Sequence, residues 1–423
     1  MELISRNTIK SVIYDQQLLY KNKSLVGRLF VPDFSKDKEI TILSGIRRSG
    51  KSSLLNIVRT QNKEKDYFIN FDDERLASFT VNDFQNLYEV FIEIFGEQKT
   101  FYFDEIQNVE GWERFVRRLH DNGNKIYITG SNATMLSKEL GTRLTGRYIK
   151  YELYPFSFQE FLKFKQVDYT EKDIFTTFGR AKLKSKFNEY FKKGGFPGFL
   201  ENENVQYLKS LYESILYRDV MVRNKITNEK EILELSLFLA SNTAKLITYN
   251  SLKKVIGVQN ATTVKNYMKI IQDTYLISLV NKYDTSLKKQ VQNPKKVYFV
   301  DVGLVRIVGF HNSDNDGRLL ENLVFVELKR RAKDVYYHKN KYECDFVIKQ
   351  KNKITEAIQV SWSLHNDETR KREINGLLDA MNTYSLKQGL ILTENDENNI
   401  KINNKEITIL PVWKWLLQYK LSK

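Results

Sequence analysis

The first 155 residues alternate short apolar runs with segments of helical spacing, which is the pattern of a parallel sheet covered by helices. Residues 39–43, EITIL, are largely apolar and β-branched and predict a buried strand, and residues 52–60, SSLLNIVRT, predict the helix that follows it. Residues 100–103, TFYF, and residues 125–129, KIYIT, predict two further buried strands. We therefore predict an α/β fold on a parallel sheet, with a glycine-punctuated turn after its first strand.

That turn, GIRRSGKS at residues 45–52, matches the phosphate-binding pattern GxxxxGK[ST]. Glycines are needed because backbone N–H groups must face a phosphate without an intervening Cβ, while the following helix points its positive end at the anion. We expect Lys51 to contact the β and γ phosphates and the Ser52 hydroxyl to bind magnesium, so the predicted cofactors are ATP and Mg²⁺. The residues predicted to bind the nucleotide are Gly45, Arg48, Ser49, Gly50, Lys51, Ser52 and Ser53.

An acidic pair follows the strand at residues 100–103. Asp104 is the second predicted magnesium ligand, and Glu105 is the predicted general base that polarises the attacking water. An acidic pair at a strand end is otherwise typical of a solvated turn, which is the alternative interpretation. Because a phosphate-binding turn precedes it, we favour a catalytic role, with Lys51 as its partner.

Polar residues after the next predicted strand are candidates for contact with the γ phosphate. Asn132 is the first candidate for the position that senses this phosphate and Ser131 is the second, and the alternative is a strand end capped by small polar side chains. Arg147 is the candidate arginine finger, which would reach the nucleotide of a neighbouring subunit and implies a homo-oligomer. The alternative is that Arg147 and the nearby Arg143 both pair with surface carboxylates.

Residues 236–300 carry three helical patterns followed by two strand patterns, the order of a winged helix-turn-helix. The third pattern, residues 262–274, is the predicted recognition helix, with Asn260 and Thr262 as candidates to cap it. Its exposed face is expected to present Lys265, Asn266 and Lys269 to DNA. The predicted wing would contact phosphates through Lys288, Lys289, Lys295 and Lys296.

The charge of the chain is concentrated in this same region. The whole sequence has a formal net charge of +15, and residues 241–300 hold ten lysines against two aspartates, which gives 10 − 2 = +8. A polyanion such as DNA is therefore the predicted partner, and lysine in place of arginine predicts weak sequence preference. A solvated surface and a protein partner are the alternatives.

Length and composition set the broad class of the protein. A chain of 423 residues exceeds one hydrophobic core, so several compact units are expected. No apolar run approaches the roughly 18 residues of a membrane span, and no signal peptide begins the sequence, so we expect a cytoplasmic protein without a membrane partner. The single cysteine, Cys344, rules out an internal disulfide and a cysteine-rich zinc site.

Several segments together resemble a known family, namely the AAA+-type P-loop ATPases of bacteria and archaea that carry a C-terminal domain related to PD-(D/E)xK nucleases. The resemblance implies an AAA+-like parallel sheet with a helical lid, then a winged helix and a restriction-endonuclease-like α/β domain. The matching segments are SGIRRSGKSSL, FYFDEIQNVEGWE, ITGSNATML, LTGRYIKYELYPFSFQEF, KKGGFPGFL, LYRDVMVRNKI, RLLENLVFVELKRR and ECDFVI. The implied domains are an N-terminal helical segment (1–24), the ATPase core (25–155), the lid (156–235), the winged helix (236–300) and the nuclease-like domain (301–423).

The nuclease-like domain departs from its family pattern. In that fold, acids from a helix and two strands hold magnesium and a lysine orients water, which would assign Glu321 and Asp345 as acids. Where nucleases carry ExK on the next strand, this chain has Gln359, Val360 and Ser361. An amide is a weaker magnesium ligand than a carboxylate, and serine supplies no charge, so we expect no cleavage. Weak binding of a metal or of DNA by Glu321, Asp345 and Gln359 stays open.

The combined expectation is an ATPase that couples nucleotide state to a basic DNA- or protein-binding module. Two alternatives stay open, a nucleotide switch that does not hydrolyse ATP and an ATP-regulated DNA nuclease. Hydrolysis distinguishes the first alternative from an ATPase, and metal-dependent DNA cutting would identify the second.

Overall fold

The computed structural model describes residues 3–20, 26–29, 34, 37–132, 144–310 and 315–418. The chain divides into two compact units. The first contains Met1–Leu153 with Asp273–Tyr275, and the second contains Tyr154–Gln272 with Leu276–Lys423. Among the described residues, no helix combines the length and the apolar character needed to cross a lipid bilayer.

The first unit is built on a five-stranded parallel sheet in the order β2-β3-β4-β1-β5, which confirms the predicted α/β fold. The strand order reverses next to β1, and ligands of open α/β sheets bind at the carboxyl ends of strands at such a point. The strands are β1 (Ile40–Ser44), β2 (Phe68–Asn70), β3 (Thr100–Asp104), β4 (Lys125–Gly130) and β5 (Tyr148–Glu152). The helices are α1 (Arg6–Tyr20), α2 (Lys51–Gln61), α3 (Phe84–Phe95) and α4 (Trp112–Asp121), with 3₁₀ turns at Glu74–Leu76, Val81–Asp83 and Ile106–Asn108.

Aromatic side chains fill much of the core of this unit. The Phe84 and Phe115 rings stack with centroids 4.5 Å apart, and the Tyr67 and Phe91 rings stack at 4.9 Å. Stacked pairs of this kind add roughly 0.5–1.5 kcal/mol beyond the burial of their surface. The amino-terminal α1 belongs to the same core, into which it buries Ile9 and its neighbours Val12 and Ile13. This core packs against β3, whose Phe101 and Phe103 belong to it.

The second unit begins with helices and continues into a three-stranded antiparallel sheet in the order β6-β8-β7. Helix α8 continues as a π-helical segment over Ile215–Val222, and a 3₁₀ turn spans Glu171–Ile174. The helices are α5 (Phe158–Phe164), α6 (Thr177–Lys193), α7 (Pro197–Asn202), α8 (Val205–Ser214), α9 (Glu229–Ser241), α10 (Tyr249–Val255), α11 (Ala261–Asp273) and α12 (Leu287–Gln292). The strands are β6 (Leu246–Ile247), β7 (Ile277–Asn281) and β8 (Lys295–Phe299).

The remainder of this unit contains a six-stranded mixed sheet in the order β13-β14-β12-β11-β10-β9. Its central pairings β11-β12 and β12-β14 are parallel, and the outer pairings are antiparallel. The strands are β9 (Asp334–Lys339), β10 (Glu343–Gln350), β11 (Lys353–Val360), β12 (Gln388–Thr393), β13 (Asn398–Ile402) and β14 (Lys405–Pro411). The helices are α13 (Val302–Val308), α14 (Asp316–Arg330), α15 (Asp367–Thr383) and α16 (Val412–Leu417).

A double-glycine turn joins α6 to α7 and packs tightly against the start of α13. Asp301 caps α13 by accepting from the Leu304 N–H, and its other oxygen accepts from the Gly195 N–H at 2.7 Å. Gly194 has φ +74, and a Cβ placed on it would lie 2.1 Å from an Asp301 oxygen. Burial raises the pKa of Asp301 to about 6, and the backbone N–H groups oppose that rise. The turn thus requires glycine both for its backbone angle and for the approach of this carboxylate.

Candidate nucleotide-binding site

The turn between β1 and α2 has the backbone of a phosphate cradle. Gly45 has φ +140, and a Cβ placed there would lie 2.2 Å from the Leu153 carbonyl oxygen. Gly50 has φ +100 and directly precedes α2, and the amino-terminal end of a helix is suited to face an anion. Arg48 also has a positive φ, at 64°, with its side chain exposed. The turn therefore follows a path that larger side chains at its two glycines would block.

The lysine of the turn is buried and lies inside it. The Lys51 side chain donates from Nζ to the Ile46 carbonyl oxygen at 3.1 Å, and Nζ lies 3.9 Å from Glu105 Oε1. Only 4% of the residue is exposed. An ammonium in this position has a carbonyl acceptor that a phosphate oxygen, with its full charge, would replace favourably.

Asp104, at the end of β3, lies beside the start of α2. The Ser52 Oγ donates to Asp104 Oδ1 at 3.0 Å, and the Thr129 hydroxyl donates to the same oxygen at 2.5 Å. Asp104 Oδ2 is buried and has no hydrogen-bond partner among the described residues. A buried carboxylate oxygen without a partner is costly, so this atom is suited to bind a cation.

The titration of Asp104 fits the same interpretation. Burial, and after it the charge of Glu105, raise the pKa of Asp104 to about 6, and the hydrogen bonds from Thr129 and Ser52 oppose this rise. A nearby divalent cation would favour the ionised form. The described residues include no cluster of three or more acidic, histidine or cysteine side chains suited to a metal. Magnesium would therefore rely on Asp104 and Ser52 together with phosphate and water oxygens, which is its usual mode of binding.

Glu105 adopts an unusual backbone conformation at the mouth of the turn. Its φ is +51°, in the left-handed region that favours glycine. Its N–H donates to Thr129 Oγ1 at 2.9 Å, and its Oε2 accepts from Ser131 Oγ at 3.2 Å and from the Gln107 amide. Such strain persists only where neighbouring contacts enforce it. These contacts hold the carboxylate near Lys51.

The polar end of β4 contributes more than the sequence alone indicated. Ser131 contacts Glu105, and Asn132, the next residue, is buried at 5% exposure. Thr129, which was not among the predicted site residues, joins Asp104 to the backbone of Glu105. Sequence periodicity did not indicate it, because its position depends on the register, which pairs Phe103 with Ile128 and so puts the next residues of β3 and β4 side by side.

Arg147 lies at the amino end of β1, whereas the turn follows its carboxyl end. Its carbonyl accepts from the N–H of Ile40, the first residue of β1, and its Nε donates to Asp121 Oδ1 at 2.9 Å. The five residues of β1, each rising roughly 3.3 Å, separate that end from the phosphate cradle. The structure thus does not bring Arg147 to the site of its own chain. Arg143 lies outside the described residues.

Another arginine does lie against the turn. The Arg28 guanidinium donates to the Ser49 carbonyl oxygen at 2.9 Å, and its Nη1 would lie 3.3 Å from a Cβ on Gly50. No sequence pattern indicated this residue, because it precedes Ser49 by 21 positions and belongs to no motif. Of the remaining predicted residues, Ser49 is buried and Ser53 is exposed on α2.

The residues predicted to bind DNA divide into an exposed group and a buried group. Lys265, Asn266 and Lys269 are exposed on α11, opposite its buried face, and Lys288 and Lys289 are exposed on α12.

The predicted phosphate contacts of Lys295 and Lys296 are wrong, because both side chains are buried in β8. The Lys295 ammonium donates to the carbonyls of Gln290 and Val291, and the Lys296 ammonium is surrounded by carboxylates. The alternating pattern of the strand did not show whether a lysine side chain is exposed or points into the interior toward acidic side chains.

Comparison with known proteins shows to which family this chain belongs. Residues 37–162 match an AAA domain, and residues 184–314 and 316–415 match two domains of unknown function. The chain is 37% identical to an uncharacterized protein of Methanocaldococcus jannaschii, over 97% of this chain and 95% of the relative. It is 31% identical to an uncharacterized protein of Haemophilus influenzae, over 90% of this chain and 94% of the relative. The crystal structure of Cdc6p from Pyrobaculum aerophilum aligns over 73% of this chain and 98% of that one, with 11% identity and a TM-score of 0.26.

Proposed function

We propose that this chain binds ATP with Mg²⁺ and hydrolyses it, because it belongs to the same family as the proteins of M. jannaschii and H. influenzae and contains an AAA domain. One observation carries the proposal. Three groups lie around the mouth of one glycine turn: the buried ammonium of Lys51, the unpartnered oxygen of Asp104, and the carboxylate of Glu105, whose backbone is strained. A structural turn has no need of this combination.

Each side chain has a definite role in this proposal. Lys51 would exchange the Ile46 carbonyl for phosphate oxygens, and Asp104 and Ser52 would hold Mg²⁺, which neutralises charge on the β and γ phosphates when bound. Glu105 would accept a hydrogen bond from the attacking water and withdraw its proton. Thr129 would fix the distance between the metal ligand and the base.

The test separates binding from hydrolysis. Glu105→Gln should retain ATP binding and lower the rate of phosphate release by at least about 10²-fold, because the base is lost while the cradle is intact. Lys51→Ala should lose binding of labelled ATP. The matched control is Glu110→Gln, an exposed acid five residues away, which should leave the rate unchanged.

A nucleotide switch without hydrolysis is the second candidate. It predicts tight ATP binding with negligible phosphate release in the wild-type chain, and no functional loss in Glu105→Gln. Wild-type turnover that depends on Glu105 would eliminate it.

The module coupled to ATP is proposed to be a winged helix within residues 236–300 that binds DNA. The order of α9, β6, α10, α11, β7, α12 and β8 supports this proposal, and so does α11, which buries Val264 and Met268 and exposes Lys265 and Lys269. Its lysines favour contact with phosphates over contact with bases. A protein partner on the same face is the alternative.

Arg147 is proposed as a finger only between subunits. Because it lies at the amino ends of the strands, it would have to contact a nucleotide held by a neighbouring copy of the chain, after leaving Asp121. The proposed homo-oligomer is required for this role.

A further inference from the structure

A deep cleft opens in the second unit beside the six-stranded sheet, far in sequence from the phosphate cradle. Its volume is about 800 Å³. Its floor contains the acids that resemblance to PD-(D/E)xK nucleases assigns to magnesium, and basic side chains such as Arg318, Lys339 and Arg372 line its sides. The acidic and amide groups at its floor are Glu321, Glu343, Asp345, Gln359 and Glu373.

A lysine from outside the nuclease pattern occupies the centre of these acids. The Lys296 Nζ lies 2.8 Å from Asp345 Oδ1, 3.0 Å from Glu321 Oε1 and 2.9 Å from Glu343 Oε1. Only 2% of Lys296 is exposed. Three carboxyl groups therefore surround this ammonium at hydrogen-bonding distance.

Several other polar groups that could serve a metal are engaged as well. Asp345 Oδ2 accepts from the Val360 N–H at 2.9 Å, and the Tyr298 hydroxyl donates to Glu321 Oε1 at 2.5 Å. The Gln359 carbonyl accepts from the Asp345 N–H at 3.1 Å, and its amide donates to Glu373 at 2.5 Å. A magnesium ion would have to displace a buried cation that three carboxylates hold.

These residues do not fit a metal centre. We propose that Lys296 is a tethered cation that replaces the divalent ion of the nuclease-like cleft, so that the cleft is metal-free by construction. Its charge stabilises the facing acids, and its position on β8 joins the three-stranded sheet to β10 and α14. The cleft then has no metal-activated water, and Lys296 is engaged with the acids.

Substitution of Lys296 should expose the latent site. In Mn²⁺ titrations of the full chain without nucleotide, followed by the electron paramagnetic resonance of free Mn²⁺, Lys296→Met should bind one more ion than the wild type, at least about tenfold more tightly than any wild-type site. A further Asp345→Asn change should abolish that site. The matched control is Lys295→Met, the neighbouring buried lysine that contacts only backbone carbonyls, which should behave as the wild type.

A second comparison covers the case in which Lys296→Met does not fold, since three acids would then face one another. Wild type and Glu321→Gln should show the same Mn²⁺ binding, because the cleft holds no ion in either. A wild-type site lost in Glu321→Gln would overturn the proposal, and so would a folded Lys296→Met that gains no ion or wild-type cleavage of DNA that requires Mg²⁺. ATP takes no part in these measurements, so their outcome is independent of the proposed ATPase activity.

Discussion

Thr129 shows how a single hydroxyl can organise a catalytic pair. It donates to the carboxylate of Asp104 and accepts from the N–H of Glu105, so it contacts both acidic residues at once. Without it, a buried N–H and a buried carboxylate oxygen would each lose a partner, at a cost of roughly 1–3 kcal/mol for each group. Thr129 is thus a positioning residue for the proposed hydrolysis.

Thr129→Val keeps the shape of the side chain and removes its hydroxyl. We expect the turnover of ATP to fall by about 10-fold or more and the Mg²⁺ concentration for half-maximal rate to rise, because the metal ligand and the base lose their common anchor. Thr129→Ser should restore most of both. Magnesium dependence unchanged in the valine variant would show that the hydroxyl serves packing alone.

At the scale of elements, the turn between α6 and α7 offers a clean test of packing. Gly194→Ala places a Cβ 2.1 Å from Asp301 at φ +74, whereas Gly257→Ala has a similar φ of +69 and no atom within 4 Å of its Cβ. We expect urea unfolding to show a loss of ~2–4 kcal/mol for the first and about 1 kcal/mol for the second, because only the first adds a clash to the backbone strain. Equal losses would mean that the clash is relieved without cost.

The sequence predicted the elements of the first unit because strong local signals coincide there. A glycine pattern, β-branched runs and an acidic pair all indicate one fold, and the parallel sheet confirms it. The positions of Thr129 and Arg28 depend on register and on a distant segment, which periodicity does not encode. Lys296 was misplaced for the same reason, since its partners Glu321 and Asp345 follow it by 25 and 49 positions.

At the scale of the whole molecule, the net charge of +15 matters where it is exposed. With Lys295 and Lys296 turned inward, α11 and α12 carry the accessible lysines of this region that were predicted to bind DNA. Neutralisation of phosphates by exposed lysines releases counterions, so such binding weakens steeply with salt.

Reversal of charge on α11 tests that partner. For Lys265→Glu combined with Lys269→Glu, we expect weaker binding to duplex DNA and a salt slope smaller by about 2, one for each lost phosphate contact. The control is Lys209→Glu combined with Lys230→Glu, two exposed lysines on α8 and α9. If the affinity of the wild type for duplex DNA does not change between low and moderate salt concentration, a protein partner is favoured instead.

The buried lysine of β8 also restricts how this family can evolve. A lineage that exchanges Lys296 for a neutral residue leaves Glu321, Glu343 and Asp345 mutually repelling, so the change is tolerated only when acids disappear in step or an ion is recruited. Homologous chains should therefore keep the lysine and its acids together or abandon them together. A census of aligned homologues that found the lysine and the acids varying independently would contradict this coupling.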